Sequence, residues 1–454
     1  MVRLTVSSGR PVDLELEMPG DKSIAHRWLL LAATANGASE LDNVPAGLDV
    51  RSTARFCAAL ASVVDPSQLD GWASNPPGQG QRDGSTANGP RPRGSTLRIE
   101  ARGRHGLEVR RESIDCGNSG TTMRLGAGIL ASASSRATLE GDASLSRRPM
   151  ERVAVPLRRM GASVATVGGC APITVEGSSL RGIAHRSVVP SAQVKSAILL
   201  AGLTAEGATV VDEPVTTRDH TERALRALGA PVHVVGTSVR VERFQYVGFA
   251  GRVPGDVSSA AFVAAAAALT GGTVEISGVG LNPTRTRYLD VLARMGVQTQ
   301  RIVDRDVLGE PVGTLMVDRT ADLAGVTVEG AELPELIDEV PVLAILAASA
   351  RGDSRFVGAG ELRVKESDRL GAIVRMIRGL GGDAAIEGDD LVVAGGDLDG
   401  GSFDAAGDHR LAMAAAVAGT ATPRPVAIEG AEVADVSFPG FFGTLARLGA
   451  GVEG

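Results

Sequence analysis

LAMAAAVAGTATPRPVAI, Leu411 to Ile428, runs an Ala/Leu-rich stretch, a Gly and a β-rich stretch in succession, and it is one of six such phrases. The others are LLLAATANGASEL from Leu29, RLGAGILASASSRATL from Arg124, AILLAGLTAEGATVV from Ala197, AFVAAAAALTGGTVEI from Ala261 and PVLAILAASARGDSRF from Pro341. An Arg-bearing helical stretch follows each and closes on Leu-Gly or Met-Gly, ending at Gly161, Gly229, Gly296, Gly381 and Gly449; the first phrase closes less clearly, past Leu60. A unit too large for a solenoid repeat, present six times, implies duplicated α/β modules. One doubly wound parallel sheet is the competing arrangement, but no GxGxxG follows a first strand.

The phrases predict two kinds of helix. Runs of Ala, Leu and Val with few charges belong where every side is covered. The second helix of each unit, such as TERALRALGA at Thr221–Ala230, alternates charge and Leu at helical spacing and is expected to be half exposed. The closing Gly can take the left-handed cap conformation. Residues 65–96 are low in apolar content and dense in Gly, Pro, Asn and Ser, so a mobile surface insertion is expected there, with Trp72 incidental within it.

The 454 residues are 43% hydrophobic and 22% charged, as in soluble globular proteins, and allow two or three domains. A net charge of −7 argues against nucleic-acid and anionic-membrane partners, which reward a basic face, so any anion must be held by a local cationic cluster. Cys57, Cys116 and Cys170 show neither CxxC nor metal spacing, which predicts no disulfide framework and no zinc site. Cys116 is expected to be a buried small residue rather than a nucleophile. The N-terminus has no signal-peptide core, and the longest apolar runs fall short of a membrane span, so the chain is expected in the cytoplasm.

Only three of the 46 Lys and Arg are lysine: Lys22, Lys195 and Lys365. In an Arg-biased chain, a retained lysine marks a place where a compact ammonium is needed. Lys22 and Ser23 sit immediately before a helix, with Arg27 a turn later. A cation there opposes the macrodipole unless an anion lies beside it, although a surface lysine with Ser23 or Asp21 as cap fits equally well. Three further starts repeat the arrangement: Gly117–Arg124 (GNSGTTMR), Ser191, Gln193 and Lys195 in PSAQVKSAILL, and His409 and Arg410 behind Asp408. In RVKESDRL a helix would place Lys365 and Arg369 at i,i+4, with Glu366–Arg369 and Lys365–Asp368 as i,i+3 pairs. Asp338 at the preceding helix start adds a carboxylate, and carboxylates among cations suit proton transfer beside an anion. Arg147 and Arg148 offer guanidinium forks before Pro149.

PGDKSIAHR, GNSGTTMR, SRRPM, SAQVKSA, TRDHTE, NPTR, ELIDEVP, LRVKESDRL, GDHR and SFPGFF, in that order, resemble the 5-enolpyruvylshikimate-3-phosphate synthase family, also called 3-phosphoshikimate 1-carboxyvinyltransferases, from about Met18 to Gly449. GDKS, SAQVK, RDHTE and NPTR resemble its second sequence class. The resemblance implies a two-domain inside-out α/β fold of the enolpyruvyl transferase kind. It has six βαβαββ units, three per domain with pseudo-threefold symmetry: residues 21–254 form one domain and 1–20 with 255–454 the other, with the site in the cleft between them. It implies transfer of the enolpyruvyl group from phosphoenolpyruvate to the 5-hydroxyl of shikimate 3-phosphate through a tetrahedral intermediate, with release of phosphate. It implies no cofactor and no metal, and a monomer is expected.

By motif position, Lys22, Ser23, Arg27, Ser191, Ala192, Gln193, Asp338 and Lys365 resemble the shikimate 3-phosphate site. Lys22, Gly120, Arg148, Gln193, Arg369 and Arg410 resemble the phosphoenolpyruvate site, with Asn118, Arg124 and Arg218 as further contributors. Asp338 is the implied base, Glu366 the proton donor and Lys22 the charge stabiliser; the role of Lys195 stays open. Two features depart from the family pattern: Val436 and Ser437 precede Phe438-Pro439 where some members carry lysine, and Glu361 stands where others carry Asn. Gly120 leaves room that implies glyphosate as an inhibitor, while the second-class motifs pull the other way. The alternatives are the enolpyruvyl transferase acting on UDP-N-acetylglucosamine, which has Lys-Asn at Lys22-Ser23 and a reactive loop Cys, and a noncatalytic anion-binding repeat scaffold.

Overall fold

The computed structural model describes residues 2–60, 63–64, 95–104, 107–318 and 322–454. The predicted insertion therefore lies almost wholly outside the described residues, as does Trp72; its last two positions, Ser95 and Thr96, begin a strand running to Arg102.

Each of the six phrases becomes a buried helix followed by a strand. We label these inner helices α1 (Lys22–Ala32), α2 (Gly120–Leu130), α3 (Ala192–Gly202), α4 (Val257–Thr270), α5 (Val340–Ala348) and α6 (His409–Gly419). Every residue of α5 and α6 is buried, as runs without charge periodicity require. Side chains of Asp21, Ser119, Ser191, Asp256 and Asp408 accept from backbone N–H groups in the first turns of α1, α2, α3, α4 and α6. The second helices expose one face, as in His220–Ala227 and Arg287–Arg294. Their closing glycines, Gly161, Gly229, Gly296, Gly381 and Gly449, have φ between 88° and 113°, the left-handed region expected of them.

The described strands form six four-stranded sheets with one shared order. In the second unit Ser113–Asp115 lies parallel to Arg136–Glu140, which pairs with Cys170–Glu176, which pairs in turn with Ser163–Val167. This is βαβαββ. Two units exchange their first strands. Ala250–Arg252 lies parallel to Asn36–Val44 in the sheet of α1, and Leu14–Glu17 lies parallel to Val274–Gly280 in the sheet of α4. The chain thus crosses between domains twice, at one place: Gly20 bridges Gly255, the Asp21 N–H donates to the Pro254 carbonyl at 2.7 Å, and the Asp256 N–H donates to the Pro19 carbonyl at 2.8 Å. A Cβ on Gly20 would meet the Asn43 carbonyl oxygen at 2.0 Å, so only glycine permits the crossing. Apolar side chains fall into two cores. One collects residues between Ile24 and Val253; the other collects Val6, Leu16 and Met18 with residues from Val257 onward.

Candidate active site

Between the two cores lies a cleft of about 400 Å³, and the N-terminal turns of the inner helices face it. Lys22 and Ser23 begin α1, Gly120 and Thr121 begin α2, Ala192 and Gln193 begin α3, Ser258 begins α4, and His409 and Arg410 begin α6; Asp338 lies just before α5. A helix N-terminus carries roughly +0.5 charge with unpaired N–H groups, so their convergence makes an anion seat in an acidic protein.

Thirteen of the sixteen residues singled out from the sequence line this cleft: Lys22, Ser23, Gly120, Arg124, Arg148, Ser191, Ala192, Gln193, Arg218, Asp338, Lys365, Glu366 and Arg410. The remaining three stand one layer back, each for a visible reason. Arg27 is buried and donates to Thr221 Oγ1 (2.9 Å), the Ser23 carbonyl (2.9 Å) and Ser196 Oγ (3.1 Å). Arg369 is held by Asp408, Asp338 and Glu366. Asn118 accepts from Arg148 at 2.7 Å and donates to Asp142 at 2.8 Å, which aims the Arg148 fork. Lys195 also turns away from the cleft, buried between Glu213 (2.7 Å) and Glu222 (2.8 Å). Residues two apart on a helix face opposite sides, so Gln193 reaches the cleft and Lys195 does not.

The KESDR segment corrects one expectation. It is not helical: Lys365 ends a short 3-10 turn with extended backbone, and the next helix starts only at Arg369, capped by Asp368 on the Gly371 N–H. Glu366 and Arg369 do pair, at 2.6 Å, but Asp368 caps the helix instead of pairing with Lys365. Among the described residues the Lys365 ammonium has no hydrogen-bond or ion-pair partner. Burial pulls its pKa down, and the neighbouring Asp338 and Glu366 offset only part of that.

Both candidate acid/base groups are ionised in this setting. Burial alone pushes the Asp338 carboxyl up, but Arg410, Arg218, Lys365 and Arg369 outweigh it and hold it well below the usual carboxylate range. Arg369, Arg148 and Lys22 likewise overcome burial at Glu366. His409 is forced down to about 3 by burial and then by Lys22 and Arg410, so its imidazole is neutral. On the opposite wall Arg124 donates to Gln193 at 2.6 Å and Gln193 to Thr121 at 2.9 Å; burial and then Arg148 and Arg152 lower the Arg124 pKa to about 10.

Sequence reasoning missed several lining residues. Asp49 pairs with Lys22 from a helix that carries no motif. Glu361, noted as a departure, meets Arg152 of the other domain at 3.4 Å. The second departure, Val436, is not part of the cleft lining; its carbonyl oxygen lies where a Gly47 Cβ would come within 2.3 Å. Asp256 and Ser258 had a usable signal: PGD at 254–256 repeats PGD at 19–21. Cys116 is buried as expected, and burial, with help from Asp115, pushes its thiol up to about 12.

A family model described as EPSP synthase (3-phosphoshikimate 1-carboxyvinyltransferase) matches residues 6–82 and 91–445. The chain belongs to the EPSP synthase family. Relatives named 3-phosphoshikimate 1-carboxyvinyltransferase include that of Desulforudis audaxviator, 44% identical over 98% of this chain and 99% of the relative, and that of Acidiphilium cryptum, 43% identical over 98% and 96%. An EPSP synthase structure from Acinetobacter baumannii superposes with a TM-score of 0.83 at 36% identity over the whole of both chains. Membership supports the two-domain fold and the transferase reading, not the UDP-N-acetylglucosamine enzyme or the scaffold. No helix among the described residues is long and apolar enough to cross a membrane.

Proposed function

We propose that this cleft transfers the enolpyruvyl group of phosphoenolpyruvate to the 5-hydroxyl of shikimate 3-phosphate, releasing phosphate. The observation that carries the reading is the meeting of Lys22, Arg124, Arg148 and Gln193 from one domain with Lys365, Arg410, Asp338 and Glu366 from the other, in a chain of net charge −7. Two substrates bearing phosphates and carboxylates require such converging charge.

Lys22, Ser23, Ser191, Ala192, Gln193 and Lys365 hold shikimate 3-phosphate, and Lys22, Gly120, Arg148, Gln193 and Arg410 hold phosphoenolpyruvate. Arg27 and Arg369 complete the two seats from behind. Arg27 uses three of its five N–H donors on protein and keeps two for a ligand. Arg218 and Arg124 orient Asp338 and Gln193. Asp338 takes the proton of the 5-hydroxyl as its oxygen adds to C2 of phosphoenolpyruvate, and Glu366 delivers a proton to the methylene carbon. The tetrahedral adduct then returns a proton from that carbon to the Glu366 carboxylate as the C2–O bond to phosphate breaks and phosphate leaves. Bound phosphate and carboxylate groups neutralise the cations that now hold both carboxyls ionised, so substrate itself raises their proton affinity.

Residues 21–254 and 1–20 with 255–454 act as the two domains, and the enzyme works as a cytoplasmic monomer. Glyphosate competes at the phosphoenolpyruvate seat. Phosphate release from phosphoenolpyruvate is the test: release with shikimate 3-phosphate and none with UDP-N-acetylglucosamine supports the reading, and the reverse pattern, or no release with either, rejects it.

A further inference from the structure

Apart from Arg218, and Thr221, which accepts from Arg27, the RDHTE and NPTR motifs have no role in the chemistry above. The fold brings them together across the domain boundary, at a wall of the cleft whose lining includes Arg285 and Ser258. His220 Nδ1 lies 2.7 Å from Glu310 Oε1, and Asn282 Nδ2 donates to Asp219 at 2.8 Å and Glu310 at 3.0 Å. His220 and Asp219 belong to one domain, Asn282 and Glu310 to the other, and both His220 and Glu310 are buried.

Arg285 is the centre of this junction. Its Nη1 donates to His220 Nε2 at 3.2 Å and approaches Asp21 Oδ2 at 3.5 Å, while Nη2 donates to Ser258 Oγ. Because a guanidinium has no lone pair to offer, His220 accepts through Nε2 and carries its proton on Nδ1, facing Glu310. Burial alone would lower the Arg285 pKa, but Asp21, Glu339 and Asp256 raise it, so the charge is permanent.

Two chains of contacts leave this fork. Asp21 Oδ1 caps α1 at the Ile24 N–H, 2.9 Å, and the next residue is Lys22. Ser258, in the first turn of α4, donates to Glu339, which lies 4.0 Å from Arg410. One planar group therefore spans the two chain crossings and touches the frames of a cation from each domain.

We propose that Arg285 is a positioning residue that fixes the mutual placement of Lys22 and Arg410 across the two chain crossings. This rests on the transferase reading. Buried charge clusters of this kind are seldom more stabilising than an apolar junction would be, and their best-attested use is to specify geometry. Lysine at 285 keeps the charge but not the rigid fork, so it cannot hold Asp21 and Ser258 at once.

The test compares wild type, Arg285→Lys and Ser258→Ala for turnover, KM for both substrates, melting temperature and calorimetric stoichiometry of shikimate 3-phosphate binding. Arg285→Lys is expected to lower kcat by about tenfold or more, while KM values stay within about threefold and binding remains one per chain. Ser258→Ala, which cuts only the branch to Glu339, is expected to move the same quantity in the same direction by less. Unchanged kcat overturns the proposal. So does a kcat that falls only in step with binding stoichiometry, because that is the mark of a structural brace. If Arg285→Lys does not fold, the kcat and KM of Ser258→Ala decide. Wild type that turns over neither acceptor defeats the transferase reading; wild type that works while both variants match it defeats this inference alone.

Discussion

Lys195 is buried and Lys365 half-buried at the cleft wall, and their surroundings are opposite. Lys195 sits between Glu213 and Glu222 at 2.7 and 2.8 Å, with the Thr217 carbonyl at 3.5 Å, so every demand of its charge is met by protein. Lys365 faces Asp338 in the cleft without a bond to any described residue, and its pKa is lowered. A buried cation with partners is part of the fold; a half-buried cation without them, facing a cleft, is open to an anion. Substitutions in the two places should therefore fail differently.

The largest effect is expected at the open pocket. Asp338→Ala should reduce kcat by about 10²- to 10⁴-fold and change substrate affinity far less, and Glu366→Gln should behave alike. Steady-state kinetics with unchanged turnover in both would discard their assignment. At the closed pocket, Lys195→Met strands two buried carboxylates and should cost about 3 to 5 kcal/mol in urea unfolding, with part recovered by adding Glu222→Gln. A Lys195→Met protein that is fully stable but inactive would erase the distinction between the pockets.

Smaller effects sharpen it. A Cβ at Gly120 would lie 2.7 Å from Arg124 Nη1 and 3.3 Å from Arg148 Nη1. Gly120→Ala should raise the glyphosate concentration for half inhibition by about tenfold or more, since one misplaced methyl is worth that much in a fitted site. Coincident inhibition curves, or a wild type unmoved by millimolar glyphosate, would contradict this. Asp256 is raised to about 6 by burial and by Asp21. Its carboxyl is easier to ionise in the unfolded chain, so wild type loses stability as pH climbs from about 4 to 6. Asp256→Asn should then melt higher than wild type at pH 7.5 and show no such gain at pH 4; equal melting at both values removes the argument. Cys116→Ser should leave turnover unchanged, because a thiol held near 12 is no nucleophile.

Much of this was readable in one dimension. Six Ala/Leu runs, five of them with glycine-closed partners, specified the six units, because burial and capping act locally. Most of the cleft was also legible, since Lys22, Gly120, Gln193 and Arg410 sit in helix first turns that any anion seat would use. The role of Lys195 stayed open because its motif groups it with Ser191 and Gln193, whereas helical rotation sends it to the other side. KESDR misled because the Asp368 cap delays the helix past Lys365. Asp49 and Glu310 could not be found at all: their partners, Lys22 and His220, are distant in the chain, and no local pattern encodes such a meeting.

The most direct measurement is the shikimate 3-phosphate dependence of phosphate release at saturating phosphoenolpyruvate, run on wild type and Lys365→Met with melting curves for both. An ammonium that serves the ligand predicts a KM for shikimate 3-phosphate raised about 10- to 100-fold, as for a lost charged hydrogen bond, with an unshifted melting temperature. An unchanged KM with a lowered melting temperature would place Lys365 with Lys195 and contradict the account.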